Sequence, residues 1–99
     1  MLTEDQFLEV WDAFVKDVKP RLDGYIKPES MDTKITEGDM GLDSLDKTLV
    51  LTLCADMYKI EASEEHNVPN ATMKEVYDWF QEKKQRDFGT VEEALEVVL

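Results

Sequence analysis

One hydroxyl lies among several carboxylates in the run Asp-Met-Gly-Leu-Asp-Ser-Leu-Asp, which spans residues 39–46. A hydrolytic use of Ser44 would need an oriented histidine and an oxyanion hole, and the one histidine, His66, is expected in an exposed loop. A calcium loop that began at Asp39 would need glycine at its sixth position, where the chain has Ser44. The residue types alone therefore indicate a glycine turn that leads into a helix capped by Asp43 or Ser44.

The composition is that of a small, strongly acidic domain. The chain has 99 residues, of which 42% are hydrophobic, and a formal net charge of −12. This length suits one domain with a modest core and is too short for a deep pocket surrounded by layers of catalytic residues. We therefore expect no enzyme activity, no catalytic residue and no metal site. The charge disfavours nucleic acid and anionic membranes as partners and favours basic protein surfaces.

Neither a disulfide nor a targeting segment is expected. Cys54 is the single cysteine, so no internal disulfide can form, and we expect it to be a small buried residue. The first residues lack the basic start and apolar run of a signal peptide, and no apolar stretch has the length of a membrane span. The sequence thus predicts a soluble, cytoplasmic monomer.

The spacing of apolar residues predicts helices and no strands. The predicted helical segments are residues 3–19, 44–59 and 63–67, a helix that begins at Thr72, and a closing helix over 90–99. Thr3 and Gln6 have the spacing of a capping box at the first helix, and Thr90 and Glu93 have it at the last. Gly89 suits the end of the helix that begins at Thr72.

A segment without helical periodicity connects the first two predicted helices. Structureless loops longer than about 15 residues are uncommon in compact domains and are often functional. Scattered apolar residues should fix this one to the core. These expected anchors are Leu22, Ile26, Ile35 and Met40.

The second predicted helix carries two apolar stripes. The first stripe, which should face the core, consists of Val50, Leu51, Cys54, Met57 and Tyr58. The second stripe consists of Leu45, Leu49 and Leu53, at intervals of four residues. A helix that is apolar around much of its circumference is either heavily buried or presents an apolar face to something else. The leucines could therefore pack against the closing helix or dock on a partner with an apolar groove.

The run over residues 39–46 resembles the Asp-Leu-Gly-x-Asp-Ser-Leu signature of acyl carrier proteins, with Met40 in place of the leucine. As in that family, the run opens a long helix that ends near an aromatic residue, here Tyr58. A short acidic turn that contains Glu64 follows, and then a helix capped by Thr72. The joint pattern is more specific than any one of its parts.

The resemblance covers about residues 3–81. It implies an all-α, four-helix bundle of three long helices and one short helix, with a long first loop. On this pattern residues 1–99 form a single acyl carrier domain with a core over about residues 3–86. The helix predicted over residues 90–99 is an extra short C-terminal helix, past the usual end of the family.

The resemblance implies that Ser44 carries a 4′-phosphopantetheine arm, which a phosphopantetheinyl transferase moves from coenzyme A. The arm would carry acyl groups as thioesters to enzymes of fatty-acid or related biosynthesis that have basic docking patches. Ser44 is then a tether point, and the N–H groups of a helix start favour a phosphate there. The residues expected to recognise partners are Asp43, Leu45, Asp46, Leu49, Leu53 and Asp56.

The sequence departs from the family on the docking face and near the short helix. Leu49 and Ala55 stand where glutamates are usual, so this face is more apolar than expected. Ala62 and Asn70 stand where isoleucines are usual, which implies altered shelter for an acyl chain between the second and third helices. An alternative function is a carrier-like interaction module that uses the apolar face and transfers no acyl group. The cargo stays open among fatty acid, polyketide and aminoacyl groups.

Overall fold

Helices make up the regular structure of residues 1–19, 24–35 and 40–99, which the computed structural model describes apart from the side chain of Ala62. The helices are α1 (Glu4–Val18), α2 (Ser44–Met57), a 3₁₀ helix (Ala62–Asn67), α3 (Met73–Lys83) and α4 (Val91–Val98). Within these ranges there is no β-strand, and one isolated antiparallel bridge joins Lys34 and Thr72. The predicted all-α class is confirmed: the part of the chain that the structure describes is a small helical bundle of four α-helices.

The first and third α-helices begin at the caps that the sequence predicts. At α1, the N–H of Gln6 donates to Thr3 Oγ1 (3.2 Å) and the N–H of Thr3 donates to Gln6 Oε1 (2.9 Å). At α3, the N–H of Glu75 donates to Thr72 Oγ1 (3.3 Å). These bonds satisfy N–H groups that have no partner within the helix.

The connection from α3 to α4 differs from the prediction. Gly89 does not end α3, because that helix stops at Lys83. The N–H of Gly89 instead donates to the carboxylate of Glu93 (3.2 Å), while Thr90 Oγ1 accepts from the N–H of Glu93 (3.2 Å). Glu93 therefore reaches one residue further back than a standard capping box, in which it would accept from the N–H of Thr90.

The first loop is anchored at some of the predicted residues and not at others. Ile35 and Met40 are buried, at 2% and 0% exposed, as predicted. Ile26 is 58% exposed, contrary to the prediction, because its backbone makes the anchor: its N–H donates to the carbonyl of Met40 (2.9 Å). Leu22, the fourth predicted anchor, lies outside the described residues.

The middle of the first loop caps α3 through its backbone. The N–H of Met73 donates to the carbonyl of Thr33 (2.7 Å), and the N–H of Lys74 donates to the carbonyl of Met31 (2.9 Å). The first N–H groups of a helix lack partners inside it, so the loop supplies the acceptors that α3 needs. The loop is thereby fixed at a point distant in sequence.

Buried aromatic rings from four parts of the chain meet in the core. They are Phe7 in α1, Tyr58 after α2, Tyr77 and Phe80 in α3, and Phe88 before α4. Ring centroids lie 5.4 Å apart for Phe7 and Tyr77, 6.1 Å for Phe7 and Phe80, 5.7 Å for Tyr58 and Phe80, and 6.1 Å for Tyr58 and Phe88. These separations fall in the range where aromatic pairs attract beyond their burial.

The closing helix α4 packs on α1 and α2 of the same chain. Ala94 is buried, and Val91, Leu95 and Val98 are partly buried against the core. The Cα radius of gyration is 12.1 Å, close to the roughly 13 Å typical of a folded domain of about this length. Among the described helices, none is both long and apolar enough to cross a membrane.

Candidate functional site

Ser44 is the first residue of α2, and its side chain is exposed. Of the two predicted caps, Asp43 is the one used: its backbone is extended (φ −80°, ψ 177°), and its Oδ1 accepts from the N–H of Asp46 (2.7 Å). Ser44 is therefore not the helix cap. Its hydroxyl lies at the positive end of the helix dipole, on the surface.

A close approach of two backbone segments sets the turn before Ser44. Gly41 has φ +73° and Gly24 has φ +79°, both in the left-handed region. A Cβ on Gly41 would overlap the carbonyl group of Gly24, so only glycine fits there. Met40 is held from the other side, where Trp11 Nε1 donates to its Sδ (3.1 Å). Asp39, the first residue of the run, lies outside the described residues.

A buried carboxylate ties the same loop to α1. The hydroxyl of Tyr25 donates to Asp12 Oδ1 (3.0 Å), and Lys16 pairs with Asp12 Oδ2 (2.9 Å). Burial raises the pKa of Tyr25, and so do the negative charge of Asp12 and the hydrogen bond to it. The tyrosine therefore stays protonated, as a donor to this carboxylate must.

Asp46 is paired within the chain. Its Oδ2 lies 3.2 Å from Nζ of Lys19 at the end of α1, and the two side chains are 17% and 23% exposed. The predicted recognition residue thus has its carboxylate turned toward α1. No sequence pattern identifies Lys19 as the partner of Asp46, because the two residues are 27 positions apart.

The leucine stripe of α2 divides between the surface and the core. Leu45 is 65% exposed and Leu49 is 43% exposed, so packing against the chain's own elements is wrong for these two. Leu53 is partly buried against the core, as that alternative expected. The reason is geometric: at about 100° per residue, a spacing of four residues drifts by about 40° at each step. The stripe therefore turns from the surface toward the interior.

The other predicted recognition residues lie at the two ends of α2. Asp43 precedes the helix and is exposed. Asp56 is exposed in the last turn, where its backbone carbonyl accepts from the guanidinium of Arg86 (2.7 Å). The buried stripe of α2 faces inward as predicted, and Val50, Leu51, Cys54, Met57 and Tyr58 are all at most 4% exposed.

A small cavity opens between α2 and the 3₁₀ helix, with a volume of about 160 Å³. Its lining residues are Ile35, Lys47, Leu51, Glu65, His66, Val68 and Asn70. Lys47 and Leu51 follow Ser44 by one and two helical turns on the same side of α2. The cavity therefore begins within one to two helical turns of Ser44 along α2.

The cavity has an apolar floor and a polar rim. Ile35, Leu51 and Val68 are buried, at 2%, 4% and 9% exposed. At the rim, Lys47 Nζ donates to Asn70 Oδ1 (2.8 Å). Asn70 therefore binds a lysine of α2. Helical spacing from Ser44 could have pointed to Lys47, whereas nothing in the sequence indicates its partner.

The other side chains that could take part in chemistry contribute little to this site. Cys54 is fully buried, and burial raises the pKa of its thiol, so it stays protonated and inaccessible. His66 is exposed, as predicted, at the edge of the cavity. In residues 1–19, 24–35 and 40–99, no group of three or more histidine, cysteine or acidic side chains is placed to hold a metal ion.

No protein-family model, no curated protein and no solved structure matched the chain.

Proposed function

We propose that the chain is an acyl carrier protein, with Ser44 as the attachment point of a 4′-phosphopantetheine arm. The observation that carries the proposal is the exposed hydroxyl at the first residue of α2, directly after the turn at Gly41. Asp43 performs the capping in its place, so attachment at Ser44 would cost the helix no cap. The protein would act as a carrier and not as an enzyme.

Attachment at Ser44 is a phosphoryl transfer that the partner enzyme catalyses. The Ser44 oxygen would bond to the phosphorus next to pantetheine in coenzyme A, the bond to the bridging oxygen would break, and adenosine 3′,5′-bisphosphate would leave. The serine proton would pass to the enzyme or to water. The ester phosphate would then lie at the N-terminus of a helix of 14 residues, where free N–H groups and the dipole favour an anion.

The chain's own residues would orient and shelter the cargo. When bound, the arm supplies a thiol that holds the acyl group as a thioester. The cavity beside Lys47 and Leu51, of about 160 Å³, lies along the same side of α2 as Ser44. This volume leaves room for a short acyl chain, fatty or of a related kind, whose end would lie on the floor formed by Ile35 and Val68.

Intact-mass measurement tests the proposal. The purified chain is incubated with coenzyme A, Mg²⁺ and a broad-range phosphopantetheinyl transferase, and a known carrier is treated alongside. We expect the mass to rise by one phosphopantetheine, and we expect Ser44→Ala to abolish the gain. Ser63→Ala is the matched control, since Ser63 is also exposed and also lies near the start of a helix. No gain while the known carrier is modified would refute the proposal.

An interaction module without acyl transfer is the second candidate function. The observation that favours it is the exposure of two large apolar side chains, Leu45 and Leu49, on neighbouring turns of one helix. This candidate expects partner binding to survive Ser44→Ala and to fall with Leu49→Glu. Pull-down of partners from the source cell with each variant, followed by their identification, separates the two functions.

A further inference from the structure

We infer that a second cavity, at the end of α2 opposite Ser44, binds a zwitterion of the amino-acid kind: a free amino acid or a dipeptide with an apolar side chain. This end cavity has a volume of about 410 Å³, against about 160 Å³ for the cavity beside Lys47. Its lining residues are Lys59, Ile60, Glu61, Glu64, Lys83 and Gln85. The 14 residues of α2, or about 20 Å, separate it from Ser44, so the inference does not depend on the proposed function.

Lys59 has a backbone conformation that favours glycine. Its φ is +59°, and it is the one non-glycine residue with a positive φ in the part of the chain that the structure describes. The N–H of Lys59 donates to the carbonyl of Asp56 (3.1 Å), and the N–H of Ile60 donates to the carbonyl of Ala55 (2.8 Å). These two bonds form a Schellman motif, in which this position is usually glycine because a Cβ strains the backbone. The chain therefore keeps a lysine side chain where glycine would be more stable.

Helix capping does not account for that side chain. A lysine near the end of a helix can donate to the last carbonyls, but the guanidinium of Arg86 already does so at α2 (2.8 and 2.7 Å). Among the described residues, no ion pair or hydrogen bond engages the ammonium group of Lys59 or of Lys83. The neighbouring Lys84, by contrast, pairs with Asp87 (3.1 Å). The end cavity is thus lined by two ammonium groups that a ligand can reach.

The charges that line the end cavity balance one another. Two lysines and two glutamates surround Ile60, which is 8% exposed and gives the cavity an apolar floor. Asn67 donates to Glu64 (3.1 Å), whereas the carboxylate of Glu61 is engaged by no described residue. The net charge of −12 repels a free anion, and the two lysines repel a free cation. A zwitterion avoids both penalties, because its carboxylate meets a lysine, its ammonium group meets Glu61 and its side chain lies on Ile60.

Titration of the ¹⁵N-labelled chain with L-leucine, and separately with L-leucyl-L-leucine, tests the inference through amide chemical shifts. We expect saturable shifts at Ile60 and Lys83, with a Kd on the order of 1–10 mM for so open a site. The tighter of the two probes identifies the length of the ligand. N-acetyl-L-leucine keeps only the carboxylate and L-leucinamide keeps only the ammonium group, so each should bind at least about fivefold more weakly.

Lys59→Gly separates binding from folding. It should weaken leucine binding at least about tenfold, while the melting temperature stays constant or rises because the backbone strain is relieved. Lys83→Met removes the second ammonium group and should weaken binding as well. Lys34→Met is the control, since it removes the same charge from an exposed position that lies beside Thr72, before the far end of α3.

Three results would overturn the inference, and none of them involves Ser44. They are the absence of shifts at Ile60 up to about 50 mM of either probe, binding of one singly charged analogue as tight as that of leucine, and equal losses for Lys34→Met and Lys59→Gly. The proposed function would stand in each case, because attachment of the arm is measured separately by mass.

Discussion

At the scale of single residues, the position of Ser44 depends on Gly41. Gly41 has a positive φ and lies against the backbone of Gly24, so two parts of the first loop meet just before α2. Trp11 holds the adjoining Met40 from α1, so the turn is fixed from both sides. A side chain at Gly41 would have to move the backbone of residue 24, and the start of α2 with it.

Gly41→Ala should lower the free energy of unfolding by about 2–4 kcal/mol, because strain at positive φ is added to a backbone overlap. Gly24→Ala separates the two causes: its φ is also positive, but no atom lies within 4 Å of the added Cβ, and we expect a loss of about 1 kcal/mol. Gly89→Ala should change stability by less than about 0.5 kcal/mol. Urea unfolding measures all three. A loss at Gly41 no larger than that at Gly24 would show that the close approach is unimportant.

Single residues also show where the sequence suffices and where it does not. Helical spacing predicted the inward face of α2, whereas it left open both the exposure of Leu45 and the choice between Asp43 and Ser44 as the cap. The pairing of Asp46 with Lys19 could not be predicted from spacing either, since it depends on the angle between two helices. Ile26 was predicted as an apolar anchor and acts through its N–H instead, a choice that the sequence pattern cannot distinguish.

At the scale of elements, the end of α2 depends on a residue from beyond α3. Arg86 Nε donates to the carbonyl of Met57 (2.8 Å), and its Nη2 donates to the carbonyl of Asp56 (2.7 Å). The last carbonyls of a helix have no partners within it, and a cation there also complements the dipole. The helix that carries Ser44 is thus capped at its start by Asp43 and at its end by a distant arginine.

Arg86→Met should destabilise the chain by about 1–3 kcal/mol, since it removes two charge-assisted donors and keeps a side chain of similar reach. We expect amide exchange in the last turn of α2 to accelerate more than exchange in α1. Lys83→Met is the control, because it also removes a positive charge, from an exposed position at the end of α3. Equal effects of the two changes on exchange in α2 would contradict the capping role.

The elements themselves were largely predictable, and their connections were not. Helical periodicity and the caps at Thr3, Thr72 and Thr90 depend on residues within a few positions of one another, so they predict where α1, α3 and α4 begin. The capping of α3 by loop carbonyls near Thr33 and the capping of α2 by Arg86 join residues that are far apart in the chain. Patterns of residue type do not encode which distant carbonyl a given N–H will meet.

At the scale of the whole molecule, all three tyrosines are tied into the fold. Tyr77 donates to the carbonyl of Leu2 (2.6 Å), Tyr25 donates to Asp12 (3.0 Å), and Tyr58 accepts from Gln81 Nε2 (3.0 Å). Burial is the largest cause that raises the pKa of each of the three phenols. Folding therefore favours the protonated form of every tyrosine in the chain.

This linkage predicts unfolding at alkaline pH. A group whose pKa is raised by folding contributes stability that is complete below its ordinary pKa, about 10 for tyrosine, and is lost as the pH rises above that value. We expect tyrosinate absorbance and loss of helical circular dichroism to follow one common transition above about pH 10. Tyr25→Phe should reduce the steepness of that transition. Tyrosines that ionise at their ordinary pKa in a chain that stays helical would disprove the linkage.

The central claim is that the exposed hydroxyl at the start of α2 receives the prosthetic arm. Its most direct measurement is the intact mass of the chain produced in cells together with a broad-range phosphopantetheinyl transferase, followed by sequencing of the modified peptide. The account predicts a chain heavier by one phosphopantetheine, with the added mass on Ser44. A chain of unmodified mass, beside a known carrier modified in the same cells, or an arm on Ser30 or Ser63 instead, would contradict it.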